Sequence, residues 1–377
     1  IMVVGSAVVA WWISTIIYNY VNARGRELPL QQYFGRAGTI AVLTILVVSA
    51  GPWQRTLDLI QINPFITALI LADFVRPATR VPRGVLIGIA GGVKLTPLVF
   101  GLILLVRRDW KGIATLGATF FGTIALGFIL MPKDALEFWF SALTNPSRVG
   151  GLNFVDNVSI QGWLLHFGLS ENAAKSVYYA LALVTIVLTA ALLYQLERRG
   201  AALAQVAVTA SLMVALSPIS WSHHNTWYPL MLAAVVMEIF PLMYQRVSSF
   251  VFTLAVILAT AALVGMYISP FWIVLALSPH FNADQILMVP EGSLGLMAGT
   301  MPYQLMYLFI LVTFFVYLAN RQLVERAARA AGAELAEAKE ARLRKTPRRG
   351  AVRGRERKKG REPHSQRGST TTTPFTA

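Results

Sequence analysis

Two adjacent histidines close the segment Ser217-Pro218-Ile219-Ser220-Trp221-Ser222-His223-His224. An imidazole can hydrogen-bond a phosphate, move a proton or ligate a metal. Neighbouring residues on a helix point about 100° apart, so His223 and His224 do not readily share one metal ion. A polar helix end at a membrane interface, with Trp221 and Trp227 as aromatic anchors, is the plainer reading of the same residues. A second candidate is Lys94, set in Gly91-Gly92-Val93-Lys94-Leu95-Thr96-Pro97 at the centre of an apolar run. An ammonium there costs a few kcal/mol on insertion scales, and a phosphate partner would offset that cost. Snorkelling to the surface is the alternative, but the distance to either end of the run makes it awkward.

Two further groups are suited to sugars and phosphates. The stretch from Pro132 to about Glu171 contains Asn145-Pro146-Ser147-Arg148 and, later, Asp156-Asn157-Val158-Ser159-Ile160-Gln161-Gly162. Amides, hydroxyls and carboxylates at this density both donate to and accept from sugar hydroxyls, and a guanidinium such as Arg148 suits a phosphate. A solvated loop has the same composition. The last group follows Pro52-Trp53-Gln54-Arg55-Thr56-Leu57-Asp58: Asp58 and Arg55 can pair across a helical turn, while Gln61 and Asn63 lie deeper and require partners. No nucleotide-binding P-loop, dinucleotide glycine motif, HExxH or GxSxG occurs, which disfavours an ATP-driven pump or a soluble nucleotide-sugar enzyme.

The elements that must hold these residues are membrane spans. Hydrophobic residues make up 55% of the 377 positions and charged residues 14%, against about 25% charged in soluble domains. Mean hydropathy is +0.57. The apolar residues fall in blocks near the roughly 20 residues needed to cross a bilayer. Candidate spans run at about 1–21, 37–50, 57–75, 84–106, 113–131, 174–196, 202–217, 226–244, 249–268 and 302–320, with a weaker piece at 270–279. With no cysteine, the chain has no disulfide framework, thiol nucleophile or Cys metal site. The net charge of +15 is concentrated in a tail: 16 of the 33 Lys/Arg but 6 of the 18 Asp/Glu fall between Arg321 and Arg367. That charge speaks to topology and lipid headgroups rather than to nucleic acid.

Assigning the basic connections (Arg24 and Arg26; Arg76, Arg80 and Arg83; Arg107, Arg108 and Lys111; Arg198 and Arg199; Arg246; and the tail) to the cytoplasm makes the spans alternate, with one exception. Segment 84–106 has basic residues at both ends and Gly91, Gly92 and Pro97 inside. It is therefore expected to be a re-entrant or broken helix forming a hairpin. Segments near 51–62, 132–173, 217–225 and 280–301, and the apex at Lys94, then share the outer face. The stretch from Asp134 to Phe140 suits an interfacial helix. The chain opens at Ile1 inside an apolar stretch without a basic leader, and reads as N-terminally truncated. The expected organisation is a transmembrane domain over 1–320, a helical cytoplasmic extension over 321–345 and a disordered basic tail over 346–377.

These residues carry a resemblance. QIN at 61–63, GVxxGxxxxxKLTP at 84–97, the P-x-D…W segment at 132–139, SRxGG at 147–151, DNxSIQG at 156–162 and SPISWSHH at 217–224 resemble the actinobacterial polyprenyl-phosphate-sugar-dependent glycosyltransferases of GT-C architecture. These include α-mannosyltransferases of phosphatidylinositol mannosides and lipomannan, and an arabinofuranosyltransferase. The match covers about residues 40–245 in consistent order. It implies an all-α, polytopic bundle in the cell membrane and an inverting transfer from a polyprenyl-phosphate sugar to a glycolipid or lipoglycan acceptor on the extracytoplasmic side. No cofactor or metal is implied. His223 and His224 would meet the donor phosphate or reacting sugar. Lys94 and Arg148 would neutralise phosphate, and Gln61, Asn63, Asn157, Ser159 and Gln161 would position substrates. The resemblance implies a general base on an acidic residue of the first outer loop, expected to lie before Ile1 in the missing N-terminal part, so neither Asp58 nor Asp156 is assigned that role. Mannose leads as the sugar and arabinofuranose is the rival. A lipid-linked glycan transporter, which also uses broken helices, is the rival from another class. One departure concerns local shape: relatives often carry Gly before the Gln of the QIN block, where this chain has Ile60.

Overall fold

The structure is a computed structural model that describes residues 2–268, apart from 24, 26, 29, 76–80, 145–150, 153, 155 and 245–247, together with residue 337. Arg148, the outer segment 280–301, the pieces at 270–279 and 302–320, and the tail expected over 321–345 and 346–377 (residue 337 aside) lie outside the described residues. Every regular element among the described residues is helical. Among the described residues, four helices are long and apolar enough to cross a membrane: α1 (Met2–Asn22), α2 (Gln31–Ser49), α7 (Trp110–Leu130) and α10 (Glu171–Glu197). Each of the two 21-residue helices rises about 31 Å, the thickness of a hydrocarbon core. Between and after these lie α3 (Gly51–Asp58), α4 (Asn63–Val75), α5 (Val85–Val93), α6 (Gly101–Val106), α8 (Pro132–Phe140), α9 (Ile160–His166), α11 (Ala202–Leu216), α12 (Tyr228–Ala234), α13 (Phe240–Tyr244) and α14 (Ser249–Ile268). The described residues form a helical membrane bundle, as the GT-C resemblance leads one to expect.

Segment 84–106 is a hairpin. α5 ends at Lys94, whose extended backbone (φ −152°, ψ 129°) breaks the helix, and a 3-10 turn, Thr96–Phe100, carries the chain back into α6. α5 packs in parallel register along α7. A Cβ on Gly84 would stand 2.2 Å from the Gly112 carbonyl oxygen, one on Gly88 2.7 Å from Thr119 Cβ, and one on Gly92 2.2 Å from Thr123 Oγ1. Glycine is what permits so close an approach. Because α6 runs directly into α7 through residues 107–109, both ends of the hairpin lie at the same end of α7, and the Lys94 apex reaches its middle. Arg107, at that shared end, pairs with Glu197 at the foot of α10 at 2.9 Å.

Two buried carboxylates act as remote helix caps. Asp73 of α4 accepts the Gly84 and Ile87 N–H groups at 2.8 and 3.2 Å, satisfying the exposed start of α5. Glu238 accepts from Tyr20 of α1 and from the Ala204 N–H of α11, the latter at 2.6 Å. It lies in a π-helical turn, Val235–Ile239, between α12 and α13. The core joins Ile13, Ile17 and Val21 of α1 to Trp53, Ile70, Phe100, Leu203 and Trp227. The buried Phe100 and Trp227 rings lie 5.0 Å apart, tilted 32° to each other.

The span expected at 57–75 is two helices. α3 closes with Gln61 N–H bonded to Thr56 O at 2.9 Å across Ile60, which sits in the left-handed region at φ 51°. This is the helix-ending position where glycine is favoured, and a β-branched residue there is strained by about 1–2 kcal/mol. The loop thus keeps the shape a glycine would give it. Ile60→Gly is expected to raise stability by up to about 1 kcal/mol, the relief exceeding the added freedom of the unfolded chain. A lowered melting temperature in detergent would contradict this.

Candidate active site

Two of the polar stretches, about sixty residues apart, form one unit. Residues 156–159 run antiparallel to residues 218–222 and satisfy successive main-chain groups of that strand-like segment. Ser159 Oγ and Asn157 Nδ2 both donate to Pro218 O, at 3.1 Å each. Asn157 Oδ1 accepts the Ser220 N–H at 3.0 Å, and Val158 N–H donates to Ser220 O at 2.7 Å. Asp156 Oδ2 accepts from the Ser222 N–H and hydroxyl at 3.2 and 3.0 Å. Ser159 also caps α9 by accepting Gly162 N–H at 3.0 Å. Buried main-chain polar groups must be paired, and this segment supplies the partners that a proline-containing loop cannot supply to itself.

Residues 222–224 then form a 3-10 turn that α3 and α4 hold from the opposite side. Thr56 Oγ1 and Asn63 Nδ2 donate to the His223 carbonyl at 2.7 and 3.0 Å. Just beyond, Thr67 and Thr226 hydroxyls meet at 2.7 Å, and Trp53 Nε1 donates to Thr226 O at 3.0 Å. The Lys94 ammonium, at the hairpin apex, donates to Asn63 Oδ1 at 3.4 Å. Asn63, Lys94, Thr96, Ser220, His224 and Thr226 line one cavity, walled on its apolar side by Met213 and Trp227.

The imidazoles have different environments. Their rings are 4.6 Å apart and tilted 75° to each other. His224 faces the cavity and His223 is outside its lining. Burial, then the positive charges of Lys94 and Arg55, pushes His223 down to about 3. Burial, Lys94 and His223 hold His224 well below the usual histidine value. Both rings are therefore neutral near pH 7. His224 Nδ1 accepts the Trp221 N–H at 3.2 Å, which leaves its proton on Nε2 as a donor. Burial raises Asp156 to about 6 against the opposing effect of its Ser222 bonds and of Arg55.

The structure thus brings Lys94, Asn63 and His224 together. Asn157 and Ser159 direct their polar atoms to the main chain of residues 218 and 220. Gln161, buried on the first turn of α9, and Gln61, in the turn after α3, are both outside the cavity lining. Thr96, Thr226 and Ser220 join the lining without having been singled out, since isolated hydroxyls carry no sequence signal; Thr96 lies inside the KLTP block and Ser220 inside SPISWSHH.

A profile for glycosyltransferase family 87 matches residues 1–218, more than half of the chain and including the Asn63–Lys94 contact and the whole 156–159 clamp. The chain belongs to glycosyltransferase family 87. Similar proteins with curated names include two polyprenol-phosphate-mannose-dependent alpha-(1-2)-phosphatidylinositol mannoside mannosyltransferases. That of Mycolicibacterium smegmatis is 33% identical over 195 residues, 50% of this chain and 44% of the relative. That of Mycobacterium tuberculosis is 32% identical over 176 residues, 47% and 40% respectively. A polyprenol-phosphate-mannose-dependent alpha-(1-2)-phosphatidylinositol pentamannoside mannosyltransferase of M. smegmatis is 31% identical over 231 residues, 59% and 54%. The chain spans about half the length of the curated relatives it matches. No solved structure matches it. The family 87 match ends at residue 218, so the histidine turn lies just beyond it, tied to it through residues 156–159.

Proposed function

We propose that this family 87 protein is a membrane mannosyltransferase. It moves mannose from a polyprenyl-phosphate donor to a hydroxyl of a phosphatidylinositol mannoside or related lipoglycan, with inversion and on the extracytoplasmic side. The observation that carries the reading is the cavity itself: Asn63, Lys94, Thr96, Ser220, His224 and Thr226 line one space between α4, the 84–106 hairpin and the 222–224 turn. In the transfer, the acceptor oxygen forms a bond to the anomeric carbon as the bond from that carbon to the phosphate oxygen breaks. The charge that develops on the leaving phosphate is met by Lys94 and by His224 Nε2–H. Asn63 orients the ammonium, and Thr96 and Ser220 would bond phosphate or sugar oxygens, while the Thr226 hydroxyl is held by Thr67. Among the described residues that line the cavity none is a carboxylate, and these groups are assigned to the leaving-group side. Arg148 remains a proposed phosphate ligand.

The names of the relatives favour mannose, and the hairpin favours the sidedness, because it sets the Lys94 apex away from the basic end that carries Arg107. The C-terminal tail would then be cytoplasmic, its cations near lipid headgroups. The full chain in lipid nanodiscs is expected to transfer label from polyprenyl-phosphate-[14C]mannose and not from the arabinose donor. Transfer of arabinose alone would overturn the choice of sugar, and turnover of neither would favour a transporter. The chain has no cysteine, so a membrane-impermeant maleimide can report sidedness. It should label Pro218→Cys but not Lys111→Cys in intact cells, and the reverse pattern would invert the topology.

A further inference from the structure

We propose that Asp156 is a positioning residue for the transfer: its carboxylate fixes Ser222 and so sets the orientation in which the 222–224 turn presents His224 to the cavity. This rests on the mannosyl-transfer reading above. The turn is gripped at two places. α3 and α4 hold the His223 carbonyl, and Asp156 Oδ2 holds both the N–H and the hydroxyl of Ser222. Ser222 and Asp156 are both buried, at 1% and 5% exposure, so no solvent replaces these bonds if they are lost. Removal of the carboxylate leaves the carbonyl anchor in place, so the turn pivots about His223 rather than unfolding, and His224 leaves its alignment.

The carboxylate is unusual for a mere loop tie. Its Oδ1 is buried and has no hydrogen-bond partner among the described residues, where an amide or hydroxyl would avoid burying a charge. The negative charge makes both Ser222 bonds charge-assisted, roughly twice as strong as neutral ones. The positive charge of Arg55 in α3 favours its ionised form; the other titratable groups on the elements packed against it are His166 of α9, bonded to Phe154 O at 3.2 Å, and the neutral imidazoles of the turn. Protonation, centred at about 6, converts these bonds to ordinary ones, which is also what asparagine would supply.

The test compares the full-length wild type, Asp156→Ala and Asp156→Asn in nanodiscs, using polyprenyl-phosphate-mannose. Asp156→Ala is expected to lower kcat by about tenfold or more with donor KM within about twofold. Asp156→Asn is expected to keep kcat within about threefold at pH 7.5. Wild-type turnover should fall below about pH 6 towards the Asn level, while the Asn profile stays flat there. Wild-type kcat in the Ala variant, or an acid limb that persists unchanged in the Asn variant, would overturn the proposal; the Asn comparison stands even if the Ala variant misfolds. Should the wild type transfer neither sugar, the functional reading fails, and histidine 15N NMR decides the positioning separately. An unprotonated His224 Nδ1 kept in the Asn variant and averaged in the Ala variant supports it, and an unchanged Ala spectrum refutes it.

Discussion

Lys94→Met is expected to reduce mannosyl transfer by about 100-fold while leaving the melting temperature unchanged or raised. The two effects have opposite signs because the ammonium has one protein partner among the described residues, Asn63 Oδ1 at 3.4 Å, and lines a cavity within an otherwise apolar hairpin. Burial of a poorly paired cation opposes folding, and a methionine of similar length fills the same volume without that cost. A charge aimed at a leaving phosphate, by contrast, acts in a water-poor site. There the loss of one such donor costs about 10²–10³ in rate. Side-by-side turnover and thermal unfolding in nanodiscs check this. Wild-type turnover would remove Lys94 from the mechanism, and parallel losses of turnover and stability would make it a structural residue. Lys94→Arg tests the geometry, since the planar, longer guanidinium cannot take the ammonium's place beside Asn63 without displacing it.

The second large effect separates the paired histidines. His224→Ala is expected to lower kcat by about 30-fold, and His223→Ala by about fivefold or less, even though both rings sit in one turn. His224 lines the cavity with Nε2–H as a donor. What α3 and α4 hold of His223 is its main-chain carbonyl, which alanine retains. Equal losses in the two variants would refute this division. The pH dependence follows from the same burial. The folded His223 value of about 3 is below the unfolded 6.5, so the unfolded chain binds more protons between those values. Stability from the neutral ring is therefore fully present above about pH 6.5 and is lost as pH falls towards 3. His223→Ala should flatten that part of the stability-against-pH curve, as thermal unfolding at pH 4 to 7 would record.

Much of the frame was legible because a bilayer imposes simple rules. Apolar runs of about 20 residues must be helical, and positive loops mark one side. The basic ends of 84–106 together with Gly91, Gly92 and Pro97 pointed to the hairpin, and Lys94 stood out because a charge in such a run demands a reason. The break at 59–62 is only half legible in the sequence: an outer segment near 51–62 and a span at 57–75 overlap there, and the left-handed backbone of Ile60 is imposed by the cap of α3. Asp73 and Glu238 were missed, because a cap drawn from another helix has no local signature.

Residue types and spacing alone determined a helical membrane protein, the hairpin and a short list of phosphate- and sugar-competent groups. Only the tertiary structure decided which of those groups face one another. It set Lys94, Asn63 and His224 around a cavity, and it turned Asn157 and Ser159 towards the main chain of residues 218–220. The physical reason is that hydropathy is a property of each segment, whereas a buried polar atom is satisfied by whichever partner folding brings within about 3 Å, however far away in the chain.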